Sequence, residues 1–133
     1  MELVVDANVL FSAAITDSKT AELMMRDDLN LYAPEYLFKE FAKYEETLLE
    51  KTHRERDGFQ KFMNTLKRRI ELVPKEGFEH RLDEARDVTP DPDDAAYFAL
   101  ALSREYRIWS DDRELQEQVE VEILTTAELI DRF

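Results

Sequence analysis

At 133 residues the chain has the length of one ordinary domain, and a hydrophobic fraction of 44% suits a folded globular protein with one core, not a disordered segment. It contains no Cys, which excludes a disulfide framework and thiolate metal sites, and only two His, His53 and His80. No apolar run approaches the roughly 18–20 residues that span a bilayer. The opening Met1–Asp6 carries acid early and lacks the basic start of a signal peptide. A cytoplasmic protein with no membrane role is expected.

The net charge of −13 weighs against a polyanionic partner, because phosphate binding draws on Lys and Arg. The charge is segregated, however. Between Lys51 and Arg69 seven basic residues face two acids, a local +5 that leaves −18 for the remainder. Taken alone, such a window is a solvated helix face.

In chain order, short β-branched or apolar runs alternate with helical patterns, as in βαβ units around a parallel sheet. Leu3–Val5 is the first strand, and a helix runs through Val9–Phe11. A second helical pattern, Ala21–Arg26, leads to a strand at Leu29–Ala33. Pro34 suits the first turn of the next helix. In that helix Leu37, Phe41, Tyr44 and Leu48 form one apolar stripe. A further amphipathic helix covers about Glu55–Ile70, with Phe59, Phe62, Met63, Leu66 and Ile70 as its core face and Gly58 weakening its start. Glu71–Val73 is a strand ended by Pro74, and a short helix follows around His80–Arg86. Asp87–Asp93, with two prolines, reads as a loop. Ala95–Leu102 is a helix apolar nearly all round, hence buried. Arg107–Trp109 and Val121–Leu124 are the last two strands. No repeat or linker interrupts the chain, so residues 1–133 are expected to form a single α/β domain.

In open α/β sheets, chemistry sits beyond the carboxyl ends of the strands. Asp6 directly follows the first strand, and Asp111 and Asp112 follow Ile108–Ser110. Asp91, Asp93 and Asp94 open the buried helix that leads into that same strand. Each has a structural alternative. Asp6 and Asp91 could serve as helix N-caps, and Asp111 with Glu114 resembles a capping box. Taken together, three acidic clusters at one edge form an anionic pocket that is self-repelling unless cations fill it. With oxygen donors only, the fitting ions are hard cations, Mg²⁺ or Mn²⁺. On the helix after Pro34, Glu35, Glu46 and Glu50 point away from the apolar stripe, while Glu40 and Glu45 flank it. Glu45 lies about 7–8 Å further along the axis. Periodicity leaves Glu40 slightly ahead and does not decide between them.

Four segments resemble the motifs of PIN domains. Val4-Val5-Asp6-Ala7-Asn8-Val9-Leu10 is similar to the opening motif, a strand, an acid and an Asn two positions on. Ala33-Pro34-Glu35-Tyr36-Leu37-Phe38-Lys39-Glu40-Phe41 resembles the second, and Asp91–Leu102, with Asp94 just before the small-residue helix, the third. Ile108-Trp109-Ser110-Asp111-Asp112 resembles the fourth, a Ser or Thr, any residue, then an acid. The first motif alone is weak; four in register over nearly the whole chain are specific. The resemblance implies a three-layer PIN-like fold with a central parallel five-stranded sheet flanked by helices. It implies catalytic and metal-binding carboxylates at Asp6, Glu40, Asp94 and Asp112, with Asn8 and Ser110 as supporting polar residues. Asp93 and Asp111 stand beside family positions as alternates. The implied activity is that of a metal-dependent endoribonuclease using Mg²⁺ or Mn²⁺, a VapC-like toxin of a toxin–antitoxin pair. The implied partners are RNA, a cognate antitoxin and a second copy of the chain. The basic window, Lys67, Arg68 and Arg69 above all, becomes a candidate RNA contact.

Two other Mg²⁺ classes fit less well. A haloacid-dehalogenase-like phosphatase wants a second acid two residues after the first, where Asn8 stands, and a late Lys, while no Lys follows Lys75. A receiver-type domain wants a Lys after its last strand, where Thr125 stands. A PIN domain that binds partners without cleaving is the third alternative, and the intact acidic set argues against it.

Overall fold

The computed structural model describes residues 1–15, 18–52 and 55–133. Its centre is a five-stranded sheet in the order β3-β2-β1-β4-β5, with every neighbouring pair parallel. The strands are β1 (Glu2–Val5), β2 (Asn30–Pro34), β3 (Ile70–Val73), β4 (Arg107–Trp109) and β5 (Ile123–Leu124). The helices are α1 (Ala7–Ile15), α2 (Ser18–Met24), α3 (Leu37–Ala42), α4 (Glu45–Thr52), α5 (Arg56–Arg69), α6 (Leu82–Val88), α7 (Ala95–Arg104) and α8 (Thr126–Arg132). The chain winds outward from β1 to β3, then returns through α7 to β4 beside β1. A parallel crossover is right-handed, so this reversal carries the later helices to the opposite face. Leu3, Val4 and Val5 have no exposed surface, as a strand covered on both faces requires. Phe98, Leu100 and Trp109 are equally buried. The expected α7 is confirmed as the buried helix, packing on β1, β2 and β4.

Pro34 is not in a helix; it is the last residue of β2, in register with Val73. The next N–H, of Glu35, donates to the Val73 carbonyl at 2.9 Å. Donors alternate sides along a strand, so the missing one at Pro34 would point toward β1, which has already turned into α1 there. The expected single helix after Pro34 is also broken. Lys43 and Tyr44 donate to the carbonyls of Glu40 and Phe41, tightening the end of α3, and α4 restarts at Glu45. Leu37, Phe41 and Leu48 stay buried, but Tyr44 turns outward, with its ring edge-on to Phe11 at 5.6 Å. In α5, Phe59, Met63 and Leu66 face the core as expected.

The last strand is shorter than Val121–Leu124. The Gln118 side chain accepts from the Val121 N–H and donates to the Val121 and Leu115 carbonyls. Those main-chain groups are therefore withdrawn from the sheet. Arg69 is likewise committed to the fold. Its guanidinium donates to the carbonyls of Met24, Arg26 and Leu29, closing the end of α2 and the loop into β2. It is half-buried, with Nε and Nη2 spent on these carbonyls, so Lys67 and Arg68 are the freer cations of this stretch. Arg54 of the basic window lies outside the described residues.

Candidate metal and catalytic site

The strand order reverses between β1 and β4, and the crevice beyond their carboxyl ends is where open α/β sheets bind ligands. Asp6 stands there, 5% exposed, one residue past β1. Its N–H donates to the Trp109 carbonyl at 3.1 Å, extending the β1–β4 ladder by one bond. Its carbonyl accepts from Val9 at 3.1 Å as α1 begins. Asp6 is thus fixed by both the sheet and the helix. The Ser110 hydroxyl, fully buried after β4, donates to Asp6 Oδ2 at 2.7 Å, and the Asn8 N–H donates to Oδ1 at 3.5 Å. Ser110 Oγ in turn accepts from the Asp112 N–H at 3.1 Å. Ser110 therefore couples the acid after β1 to the acid after β4.

A cavity of about 660 Å³ opens over this point, lined by Asp6, Asn8, Glu40, Asp93 and Asp94. Tyr36 and Tyr97 stand among these acids, and Phe11, Tyr44 and Lys51 form another part of the wall. Asp112 stands outside the lining, yet its charge raises the pKa of both Asp6 and Asp94. Asp112 Oδ1 also accepts the Glu114 N–H at 3.0 Å, capping the short turn Arg113–Glu117. Glu40, in the first turn of α3, is exposed and pairs with Lys43 at 3.3 Å.

The two acid pairs separate by geometry. Asp94 is half-buried and Asp93 exposed, although both line the cavity. Asp111, and not Asp112, is held elsewhere: its carboxylate accepts the Thr126 N–H and hydroxyl, both at 2.7 Å. The Thr126 hydroxyl also accepts from the Trp109 indole at 3.0 Å. This chain of bonds fastens α8 to the end of β4, with Thr125 and Glu128 completing a capping box. Asp111→Ala is expected to cost about 1–2 kcal/mol of stability, the magnitude of a lost helix cap, because the Thr126 N–H loses its partner. Denaturant melts would measure it, and an unchanged midpoint would remove this role.

The electrostatics match a cluster of like charges. Burial raises the Asp6 pKa most, with help from Asp112, while the Ser110 and Asn8 donors pull it back. Asp94 is pushed up to about 7, by burial first and then by Asp6, Asp91, Asp112 and Asp93. The same acids bear on two phenols absent from the sequence reading. Tyr36 is raised to about 12 by burial, Glu40, Asp94 and Asp93, and Tyr97 is raised by burial, Tyr36 and Asp6. Their rings meet edge-on at 6.4 Å. The sequence held one hint: Tyr97 lies three residues after Asp94, on the same side of the helix. Both phenols stay protonated at neutral pH, as hydrogen-bond donors on the cavity wall.

Oxygen is the only donor type in the cluster, which suits a hard divalent cation. Among the described residues, no three acid or imidazole groups converge on one point at coordinating distance. Mg²⁺ does not require that, since it keeps several waters and takes one or two carboxylates directly. Asp6 and Asp94 line one cavity, and the charge of Asp6 helps to raise Asp94.

Residues 4–129 match the family model of the PIN domain, and the chain belongs to that family. PIN domains are generally nucleases and typically use divalent metals. The fold is similar to that of a chain in the crystal structure of VapBC2 from Rickettsia felis bound to a DNA fragment from their promoter. The TM-score is 0.63 at 9% identity, over 94% of this chain and 98% of that one. Likeness at that identity speaks for the fold alone. No curated protein sequence matches the chain. No helix among the described residues is long and apolar enough to cross a membrane.

Proposed function

We propose that residues 1–133 form a single PIN domain acting as a metal-dependent endoribonuclease, the toxin of a toxin–antitoxin pair. The observation that carries this reading is the coupled acid cluster at the sheet's switch point: a buried Asp6 fixed by Ser110, beside an Asp94 raised to about 7. Such a cluster is unfavourable without a cation, and the fold holds Asp6 in place regardless. Asp6 and Asp94 would hold Mg²⁺ or Mn²⁺ directly, and Glu40 and Asp112 would complete the site through water or a second ion. Once bound, the ions supply Lewis acidity and an activated water for in-line displacement at phosphorus. The protein's own contribution is positional. Ser110 and the Asn8 N–H orient the Asp6 carboxylate, while Tyr36 and Tyr97 offer hydroxyl donors beside the acids and limit water on that side.

The toxin reading is supported by family membership and by the fold shared with a chain of VapBC2. It implies a cognate antitoxin protein, a homodimer and a cytoplasmic setting. RNA affinity would draw on the exposed Lys67 and Arg68 of α5; the Lys67 ammonium lies over the Phe38 ring at 5.6 Å. The test is cleavage of mixed-sequence single-stranded RNA by the purified chain with Mn²⁺ or Mg²⁺. Internal cuts that stop on adding chelator are expected. Intact RNA under all metal conditions would count against the reading.

A further inference from the structure

We propose that a second cavity, beyond the carboxyl ends of β2 and β3, binds one nucleotide of the RNA strand next to the scissile phosphate. The inference rests on the nuclease reading above. This cavity measures about 580 Å³, within the range of roughly 300–1,000 Å³ typical of small-ligand sites. Its apolar surface comes from Phe78, Leu82 and Ala96, and its charged lining from Lys39, Lys75 and Glu35. Tyr36 lines it too, and Tyr36 is also part of the acidic cavity, so the two hollows share a wall. On α3 the neighbours Lys39 and Glu40 divide between them: Lys39 lines the second cavity and Glu40 the acidic one.

The charges indicate what the hollow takes. Among the described residues outside α5, Arg26, Lys43, Arg81, Arg86, Arg104 and Arg107 each have a carboxylate partner. Lys39 and Lys75 have none among the described residues, although the chain carries thirteen excess negative charges. Two unpaired ammonium groups over an apolar floor suit a ligand that is anionic at one end and flat and apolar at the other. A nucleotide is that ligand: its phosphate pairs with the lysines, and its base lies on the floor against the Tyr36 ring. A metal ion is ruled out by the lysines, and a wholly apolar ligand would leave them unused. A strand whose scissile phosphate sits over Asp6 and Asp94 would cross Tyr36 to reach this hollow. The α5 surface would add sequence-independent attraction, and this cavity would fix the register of the strand.

The experiment uses the full chain with Lys39→Gln and Lys75→Gln combined, and separately Leu82→Trp, which fills the hollow while keeping both lysines. Affinity for a short fluorescent single-stranded RNA is measured by anisotropy in chelator, over a range of salt, and cleavage kinetics are measured with Mn²⁺. The lysine variant should bind about tenfold more weakly, and its log–log salt slope should drop by roughly 0.7 for each phosphate released. KM should rise by a similar factor with kcat at saturating RNA nearly unchanged, and Leu82→Trp should raise KM without changing the salt slope. The charge-matched control, Arg86→Gln with Arg132→Gln, should alter neither parameter. Wild-type affinity and KM in the lysine variant, or a wild-type KM in Leu82→Trp, would overturn the subsite. RNA that binds through these lysines but is never cut would sink the nuclease reading and leave the subsite standing.

Discussion

Asp6→Asn is expected to lower RNA cleavage by at least about a hundredfold, and by about a thousandfold if the residual electrostatic support is small. The substitution keeps the shape and one acceptor for the Ser110 hydroxyl, so the hydrogen bond at 2.7 Å has a replacement. What it removes is the negative charge that a hard cation needs. Stability should not fall, and should rise slightly, because burial already penalises the ionised Asp6. Asp94→Asn and Asp112→Asn should be similarly inactive, whereas Glu46→Gln, on the outer face of α4, should retain wild-type turnover. Single-turnover cleavage and thermal melts on the same preparations separate chemistry from folding. Activity kept in Asp94→Asn but lost in Asp93→Asn would move the ligand by one residue.

The second large effect concerns pH and metal together. In the metal-free protein Asp94 has a folded pKa of about 7 against an ordinary value of 3.8. The folded state therefore holds more protons than the unfolded state between those values, and stability should fall as pH rises through that window. Below it the carboxyl is neutral in both states, and above it the full penalty applies. Asp6, also raised, acts in the same direction. A divalent cation that binds only the native state reverses the loss. At a concentration of about 100 times its Kd it adds roughly 2.7 kcal/mol, which for this chain length raises Tm by about 10 °C. Melting curves from pH 4 to 8, with chelator or with Mn²⁺, would measure both effects. Asp94→Asn should flatten the metal-free pH dependence and shrink the Mn²⁺ shift. A Tm that rises with pH in chelator would reverse the sign and remove the repulsive cluster.

The order of elements was legible because the strands are short apolar runs and α7 is apolar nearly all round. Asp6 and Asp112 could be placed beyond the sheet because each closely follows a strand that periodicity identifies. Less legible was anything decided by a distant partner. Asp111 and Asp112 are adjacent and chemically identical, and only the docking of Thr126 onto Asp111 separates them. Arg69 looked like part of a basic surface, yet the end of α2 and the loop after it supply three carbonyls that claim it. Tyr44 fell on the apolar stripe, but the turn at Lys43 rotates it to the rim of the cavity. Pro34 suits a helix start in isolation, and a strand end only once β1 is known to have left the sheet beside it. Periodicity left Glu40 and Glu45 open; in the structure Glu40 lines the acidic cavity, while Glu45 faces Arg56 at 3.7 Å.

The most direct measurement is anomalous X-ray scattering from crystals grown with Mn²⁺. The expected result is a manganese peak in the acidic cavity, liganded by Asp6 and Asp94 and absent from crystals of Asp6→Asn. Crystals of an active protein with an empty cavity, or with manganese held only by acids outside it, would contradict the assignment of this cluster as the catalytic centre.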